Sequence, residues 1–151
     1  MKHALRTLGR SSLLAAGLLL AASAWAQMTP VGTWQSIDDQ TNQPRTEVVI
    51  SEQGGVLSGR ITRLLRPGAD QAARCTACTD DRKDQPLIGL EIIRGARQAE
   101  GRAVWEGGRI LDPEDGRSYT LRLTPIEEGR KLQVRGSIGP FGRTQTWVRV
   151  Q

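Results

Sequence analysis

Cys75 and Cys78 are the only cysteines of the chain, and they stand three residues apart in the run CTAC. A pair at this spacing can form a disulfide, act as a thiol–disulfide reagent or supply two ligands to a metal. A reagent needs a thiolate stabilised by a helix N-terminus or a nearby cation. Arg74 is adjacent, but Asp80 and Asp81 oppose its effect. We therefore expect a structural disulfide, worth about 2 kcal/mol or less for so short a ring, with redox chemistry as the alternative.

A metal site at this pair would need two further ligands. The single histidine is His3, which lies in an N-terminal segment that we expect to be removed. Asp80, Asp81 and Asp84 are then the remaining candidates, and three carboxylates beside two thiolates are a poor set for zinc. Without histidine, a His-based nucleophilic triad and a His general base are also excluded. We expect neither a metal nor a cofactor.

Several carboxylates could supply an acid/base pair for glycoside chemistry. The candidates are Asp38, Asp39, Glu91, Asp112 and Asp115. The four aspartates stand in turn-like contexts, where Asp commonly accepts local backbone hydrogen bonds. Glu91 lies in an apolar strand and is either an inward carboxylate with an arginine partner or plain surface. The sequence does not decide whether the protein is an enzyme, but a non-catalytic role is favoured.

The first 26 residues have the pattern of a secretory signal. Residues 1–10 carry three basic side chains and no acid, and residues 13–22 are an apolar run. Ala24-Trp25-Ala26 then forms a small-x-small site that predicts cleavage before Gln27. A helix of ten apolar residues would span about 15 Å, half of the hydrocarbon core, so a membrane anchor is disfavoured. We expect a soluble protein of the bacterial periplasm or the exterior.

Removal of this segment leaves one domain, residues 27–151. Its 125 residues carry 18 basic against 16 acidic side chains, so the net charge falls from +5 to +2. The basicity belongs largely to the signal, and nothing here favours nucleic acid. No later stretch is long and apolar enough to span a bilayer. The oxidising compartment favours a disulfide between Cys75 and Cys78.

Short alternating or β-branched runs separated by turn residues follow one another along the domain. They cover residues 32–38, 45–51, 56–65, 87–94, 101–106, 109–111, 118–123, 132–138 and 143–150. Gly59 is expected to form a bulge, and Gly107-Gly108 a tight turn. Residues 66–86 are the one long irregular segment and hold both cysteines.

This pattern predicts an all-β domain of eight or nine antiparallel strands, because no segment sustains a helical apolar stripe over three turns. A strip of this length with one apolar face must close on itself or fold into two sheets. Uniform short hairpins in chain order favour an up-and-down barrel with one long cysteine-containing loop. A sandwich with Greek-key crossovers is the second choice.

Gly32-x-Trp34 on the first predicted strand resembles the opening motif of lipocalin-like (calycin) barrels. In those folds the tryptophan closes one end of the barrel and a basic residue of the last strand packs over it. The resemblance assigns the barrel-end role to Gly32, Trp34, Trp147 and Arg149, with a cation–π contact from Arg149.

Residues 29–150 as a whole resemble an exported bacterial family known as domain of unknown function 2147. The matching stretches are GTWQSIDDQTNQPRTEVVI (32–50), GVLSGRITRLL (55–65), CTAC (75–78), KDQPLIGLEII (83–93), WEGGRILDPEDGRSYTLRL (105–123) and GRTQTWVRV (142–150). The resemblance implies a lipocalin-like barrel and an exported protein. It implies no activity, substrate or catalytic residue.

The function favoured by these observations is a non-catalytic binding module. It would hold a small apolar or amphipathic ligand in the barrel or present its loops to an envelope protein. The small number of large apolar side chains argues against a large cavity.

The side chains of Trp34, Trp105 and Trp147 are expected in the core or at a barrel end rather than on a sugar-stacking platform. The arginines are spread over several strands, so an anionic-ligand or anionic-lipid surface is a weaker alternative; the positions concerned are Arg60, Arg63, Arg66, Arg94, Arg122, Arg135 and Arg143.

Overall fold

The computed structural model describes residues 28–150, which form one antiparallel sheet of eight strands. The strands are β1 (Gly32–Ile37), β2 (Pro44–Gln53), β3 (Val56–Leu64), β4 (Glu91–Gln98), β5 (Trp105–Asp112), β6 (Arg117–Ile126), β7 (Lys131–Ile138) and β8 (Phe141–Arg149). A single 3-10 turn, Glu127–Gly129, connects β6 to β7. The predicted signal and its cleavage site lie outside the described residues. No helix within 28–150 has the length and apolar character that crossing a membrane requires.

Each strand pairs with the next one along the chain, and β8 returns to pair with β1. The sheet is therefore a closed up-and-down barrel, and the prediction of this topology is confirmed. The Greek-key sandwich is wrong, because no strand crosses over to a non-adjacent position. Alternation explains the closure: residues of β7 such as Leu132 and Val134 point into the barrel, while Gln133 and Arg135 point outward.

The sequence-based boundaries are wrong at β4 and β5. Gly107-Gly108 is not a turn but a bulge inside β5, where the register to β6 shifts between Glu106 and Gly108. Two predicted strands are consequently one, which makes eight strands rather than nine. A side chain at Gly108 would collide with the backbone of Ala96 on β4, so glycine allows the two strands to approach closely.

β4 begins at Glu91, four residues later than predicted. The stretch before it still follows β3, because Gly89 donates to the carbonyl of Ile61 at 2.7 Å and Ile61 donates to Leu90 at 3.0 Å. The register between β3 and β4 shifts beside Gly59, as expected for a bulge.

The two ends of the barrel differ. The chain termini and the β2–β3, β4–β5 and β6–β7 connections lie at one end, which we call the closed end. The β1–β2, β3–β4, β5–β6 and β7–β8 connections lie at the other, the open end. The interior toward the closed end is filled by fully buried side chains, including Trp34, Ile50, Leu57, Leu123 and Leu132.

Candidate functional site

A cavity of about 730 Å³ occupies the open half of the barrel. Apolar side chains from several strands form its walls, among them Ile61, Ile92, Leu111, Val134 and Trp147. Small residues also line the cavity, namely Ser36 on β1 and Gly136 on β7. The argument that few large side chains disfavour a cavity is therefore wrong. Their scarcity leaves the open half of the barrel unfilled.

Ion pairs between loops surround the opening of this cavity, and we call them the rim. Arg66, in the β3–β4 loop, donates to Asp38 of the β1–β2 loop and to Glu114 of the β5–β6 turn, at 2.9 Å in each case. Arg45 at the start of β2 also contacts Glu114. Arg143 of β8 pairs with Asp39 across the barrel seam. The rim thus joins separate loops, and its arginines already have carboxylate partners.

Asp38 is the most strongly perturbed carboxyl group of the rim. The backbone N–H of Thr41, the Arg66 guanidinium and the backbone N–H of Gln40 all donate to it, in that order of importance, and they lower its pKa to about 2. Hydrogen bonds to the charged form favour ionisation. Asp38 is therefore a fixed anion that shapes the β1–β2 loop, and it is unsuited to act as a proton donor near neutral pH.

The remaining carboxylate candidates are also engaged in local structure. Asp112 and Asp115 accept backbone N–H groups of Glu114 and Arg117 at 2.9 and 2.8 Å and so stabilise the β5–β6 turn. Glu91 pairs with Arg94 at 2.7 Å and with Arg60 at 3.5 Å. Asp39 is bound to Arg143, as described for the rim. Each of these carboxylates therefore has a structural partner.

The closed end contains the residues that the motif singled out. Gly32 begins β1, and the indole N–H of Trp34 donates to the carbonyl of Pro30 at 2.7 Å. The guanidinium of Arg149 lies 4.1 Å from the centroid of the Trp34 ring and donates to carbonyls of Thr29, Val31 and Gly129. Burial lowers the pKa of Arg149.

Trp147 pairs with Leu132 of the filled half and also lines the cavity. Its side chain is buried, its indole N–H donates to Gln145 at 3.3 Å, and its ring forms part of the cavity wall. Trp105 on β5 is buried in the core cluster, outside the cavity wall.

Cys75 and Cys78 form a disulfide in the β3–β4 loop. Although the loop is long and irregular, the two residues are only 0% and 1% exposed. They pack against the β5–β6 turn, where the sulfur of Cys75 lies 3.8 Å from the carbonyl oxygen of Pro113. A thiol reagent must be reached by its partner disulfide, and this burial prevents that unless the loop moves.

Arg82 is a buried charge in the same loop, and the sequence analysis missed it. Its guanidinium donates to Asp80, to the carbonyl of Glu91 at 3.0 Å and to the hydroxyl of Ser118 at 3.2 Å. The hydrogen bonds that the guanidinium and then the backbone N–H of Arg82 donate to Asp80 lower the pKa of that carboxyl group to about 2. An arginine within a polar loop is ordinarily exposed, so no sequence signal marked this residue.

The aspartates considered as metal ligands have other partners. Asp80 binds Arg82, Asp81 binds Arg94 at 2.9 Å, and Asp84 lies 3.7 Å from Lys83. Among residues 28–150, no three His, Cys, Asp or Glu side chains are grouped so that they could hold a metal ion.

The closed up-and-down barrel, with a filled end beside Trp34 and a hollow opposite end, defines the lipocalin-like class of fold. The chain belongs to the family described as uncharacterized protein conserved in bacteria (DUF2147), whose model matches residues 32–149. Among solved structures, it is similar to HP1028 of Helicobacter pylori, a protein described as belonging to the lipocalin family. The two chains share 19% identity over 80% of this chain and 82% of the other, with a TM-score of 0.68. No curated protein matches the chain.

Proposed function

We propose that this protein is an exported, non-catalytic binding protein that holds one small apolar or amphipathic ligand inside its barrel. The observation that carries the proposal is the 730 Å³ cavity with apolar walls in the open half. Small-molecule sites typically have volumes of about 300–1,000 Å³ and are lined mainly by apolar side chains with a few polar groups. The lipocalin-like fold supports the same function.

The lining indicates how such a ligand would lie. Its apolar part would contact Ile61, Val134 and Trp147 in the depth of the cavity, where burial of apolar surface contributes most of the affinity. A polar group would lie at the rim, where Arg45, Arg66 and Arg143 line the cavity together with carboxylates. An amphipathic molecule satisfies both regions.

Export follows from the N-terminal pattern and is part of the proposal. Residues 1–26 would be removed before Gln27, and the domain would be released to the periplasm or secreted. A disulfide between Cys75 and Cys78 agrees with an oxidising compartment. The alternatives of a redox protein and of an envelope-protein partner have no specific observation in their favour.

Tryptophan fluorescence tests ligand binding, because Trp147 is part of the cavity wall. We expect fatty acids and other apolar compounds to change the emission in a saturable manner. Trp147→Phe should remove most of the change, whereas Trp105→Phe should leave it. Absence of any response across such a panel would count against a ligand in the barrel.

A cavity-filling variant provides the matched test of location. Val134→Phe adds volume inside the cavity and should weaken binding by about tenfold or more, equivalent to about 1.4 kcal/mol. Val49→Phe makes the same change at an exposed position of β2 and should leave affinity unchanged. Equal affinities of the two variants would place the ligand elsewhere.

A further inference from the structure

The turn between β7 and β8 contains no charged side chain and exposes two large apolar ones. Residues 138–141 read Ile-Gly-Pro-Phe, and Phe141 is 80% exposed and Ile138 51% exposed. The β2–β3 turn, Gly54-Gly55, is also uncharged but has no side chain to expose, and each of the other five connections contains at least one Asp or Glu. Exposing large apolar side chains to water at a hairpin tip is unfavourable, and a partner that covers them would lower the free energy.

The strands next to this apolar tip contain basic but no acidic side chains. Strands β6, β7 and β8 are neighbours in the barrel and contain six basic residues and no Asp or Glu. The six are Arg117, Arg122, Lys131, Arg135, Arg143 and Arg149. Arg149 and Lys131 lie at the closed end and Arg122 pairs with Glu106, whereas Arg135 and Arg143 are exposed on the hairpin itself. Arg135 donates to the hydroxyl of Thr144 at 3.4 Å and makes no ion pair with any carboxylate of residues 28–150.

The spacing along the hairpin matches the depth of a membrane interface. Arg143 is two residues below Phe141 and Arg135 is three residues below Ile138, which corresponds to about 7 and 10 Å along a strand. Apolar side chains of peripheral proteins enter the boundary between headgroups and acyl chains by about 5–10 Å. The guanidinium group of Arg135, which has no carboxylate partner among residues 28–150, would then lie at the level of the lipid phosphates.

We propose that the β7–β8 hairpin docks onto the surface of an anionic phospholipid bilayer, with Phe141 and Ile138 inserted, Arg135 at the phosphates and Arg143 still paired with Asp39 beside them. An anionic polymer would satisfy the charge of the hairpin but would not cover its exposed apolar pair. The neighbouring carboxylates do not oppose this contact, because Asp39 and Asp38 are bound to Arg143 and Arg66.

Docking in this way would place the cavity opening at the membrane surface, since Ile138, Phe141 and Arg143 also line the cavity. The contact itself does not depend on a ligand in the barrel. Vesicle binding and ligand binding can therefore succeed or fail separately.

A tryptophan at the tip tests insertion directly. The purified Phe141→Trp protein is mixed with vesicles of phosphatidylcholine, either pure or containing phosphatidylglycerol. We expect a blue shift of the added emission with phosphatidylglycerol vesicles and little change with pure phosphatidylcholine. Val49→Trp places the same reporter on the outer face of β2 and should show no shift. No shift at position 141, or equal shifts at both positions, would overturn the proposal.

Co-sedimentation of variants with the same vesicles separates the contribution of apolar insertion from that of charge. Phe141→Ser should reduce binding by about tenfold, and Arg135→Gln by about fivefold, because one cation near an anionic surface contributes about 1 kcal/mol. Arg97→Gln, an exposed arginine of β4 beside Gly55, is the matched control and should bind as the unsubstituted protein does.

The salt dependence and a competitor complete the test. Binding should weaken as ionic strength rises, because exposed charges are screened. If Phe141→Ser binds vesicles as well as the unsubstituted protein, and dextran sulfate competes fully, the hairpin is an anionic-polymer site and the membrane proposal is wrong. Absence of vesicle binding by the unsubstituted protein would also refute it.

Discussion

Arg149 illustrates how one side chain can close an end of the barrel. It stacks on Trp34 and donates to three carbonyls that belong to the N-terminal segment and the β6–β7 turn. β1 and β8 are joined by only two paired positions, Trp34 with Arg149 and Gln35 with Val148. The side chain of Arg149 therefore adds contacts at the weakest seam of the barrel.

Replacement of Arg149 by methionine should destabilise the protein substantially. The variant keeps an unbranched apolar side chain but loses the cation–π contact and leaves carbonyls without their donor. We expect the free energy of unfolding to fall by about 3 kcal/mol, measured by urea denaturation. In Arg149→Lys the free energy of unfolding should fall by less, because lysine retains the charge although it lacks the planar donor geometry.

Arg97→Met is the control for removal of an arginine at an exposed position, where the change should be within about 0.5 kcal/mol. If Arg149→Met and Arg97→Met unfold at the same urea concentration, the stacked arginine does not stabilise the closed end.

At the scale of elements, the β3–β4 loop is held against the β5–β6 turn. The disulfide residue Cys75 contacts Pro113, and Gly116 of the turn lies directly beneath Ala77 of the loop. Gly116 has a φ of +71°, and a Cβ there would collide with the carbonyl of Ala77. Glycine at this position therefore satisfies both the turn conformation and the close approach.

Gly116→Ala should separate the loop from the turn. Gly139→Ala is a matched control, because Gly139 has a φ of +54° but no atom within 4 Å of the added methyl group. Strain from positive φ alone costs about 1–2 kcal/mol, so the free energy of unfolding of both variants should fall by about that amount. In Gly116→Ala it should fall by about 1–3 kcal/mol more, because the added methyl group overpacks the contact with Ala77. The measurement is thermal and urea unfolding. Equal losses would show that the loop does not pack tightly on the turn.

Local patterns predicted the strands wherever they depend on alternation and a recognisable turn. β2, β3 and β6 to β8 follow from such patterns, and barrel closure follows from their regular succession. Gly107-Gly108 was misread because the same dipeptide serves a turn or a bulge, and only the neighbouring β4 backbone decides between them. Burial of Arg82 and of the disulfide depends on contacts between the loop and distant strands. The cavity was missed for a similar reason, since it arises where small residues of different strands face one another.

At the scale of the whole molecule, carboxylate–arginine pairs connect segments that the sheet does not join. Arg66 links the β3–β4 loop to the β1–β2 loop and the β5–β6 turn. Arg82, paired with Asp80 within the same loop, links that loop to β4 and β6 through the backbone carbonyl of Glu91 and the hydroxyl of Ser118. The open end is thus held by side chains whose charge depends on pH, while the strands beneath are held by backbone hydrogen bonds.

Stability should therefore fall in acid through the carboxyl groups with lowered pKa. The pKa values of Asp38 and Asp80 are about 2 in the folded protein, against about 3.9 in the unfolded chain. A group with a lowered folded pKa contributes stability that is present above the unfolded value and lost as pH falls through the folded value. We expect Asp38 and Asp80 to change the urea midpoint little between pH 7 and about pH 5, and to cause it to decrease between about pH 4 and pH 2.

Asp80→Asn should lower the urea midpoint at pH 7, because buried Arg82 loses its anion, and should make the decrease in acid shallower. Asp84→Asn, at an exposed position of the same loop, should retain the full decrease. A variant Asp80→Asn that shows the unsubstituted protein's profile would mean that the Asp80–Arg82 pair does not couple the loop to folding.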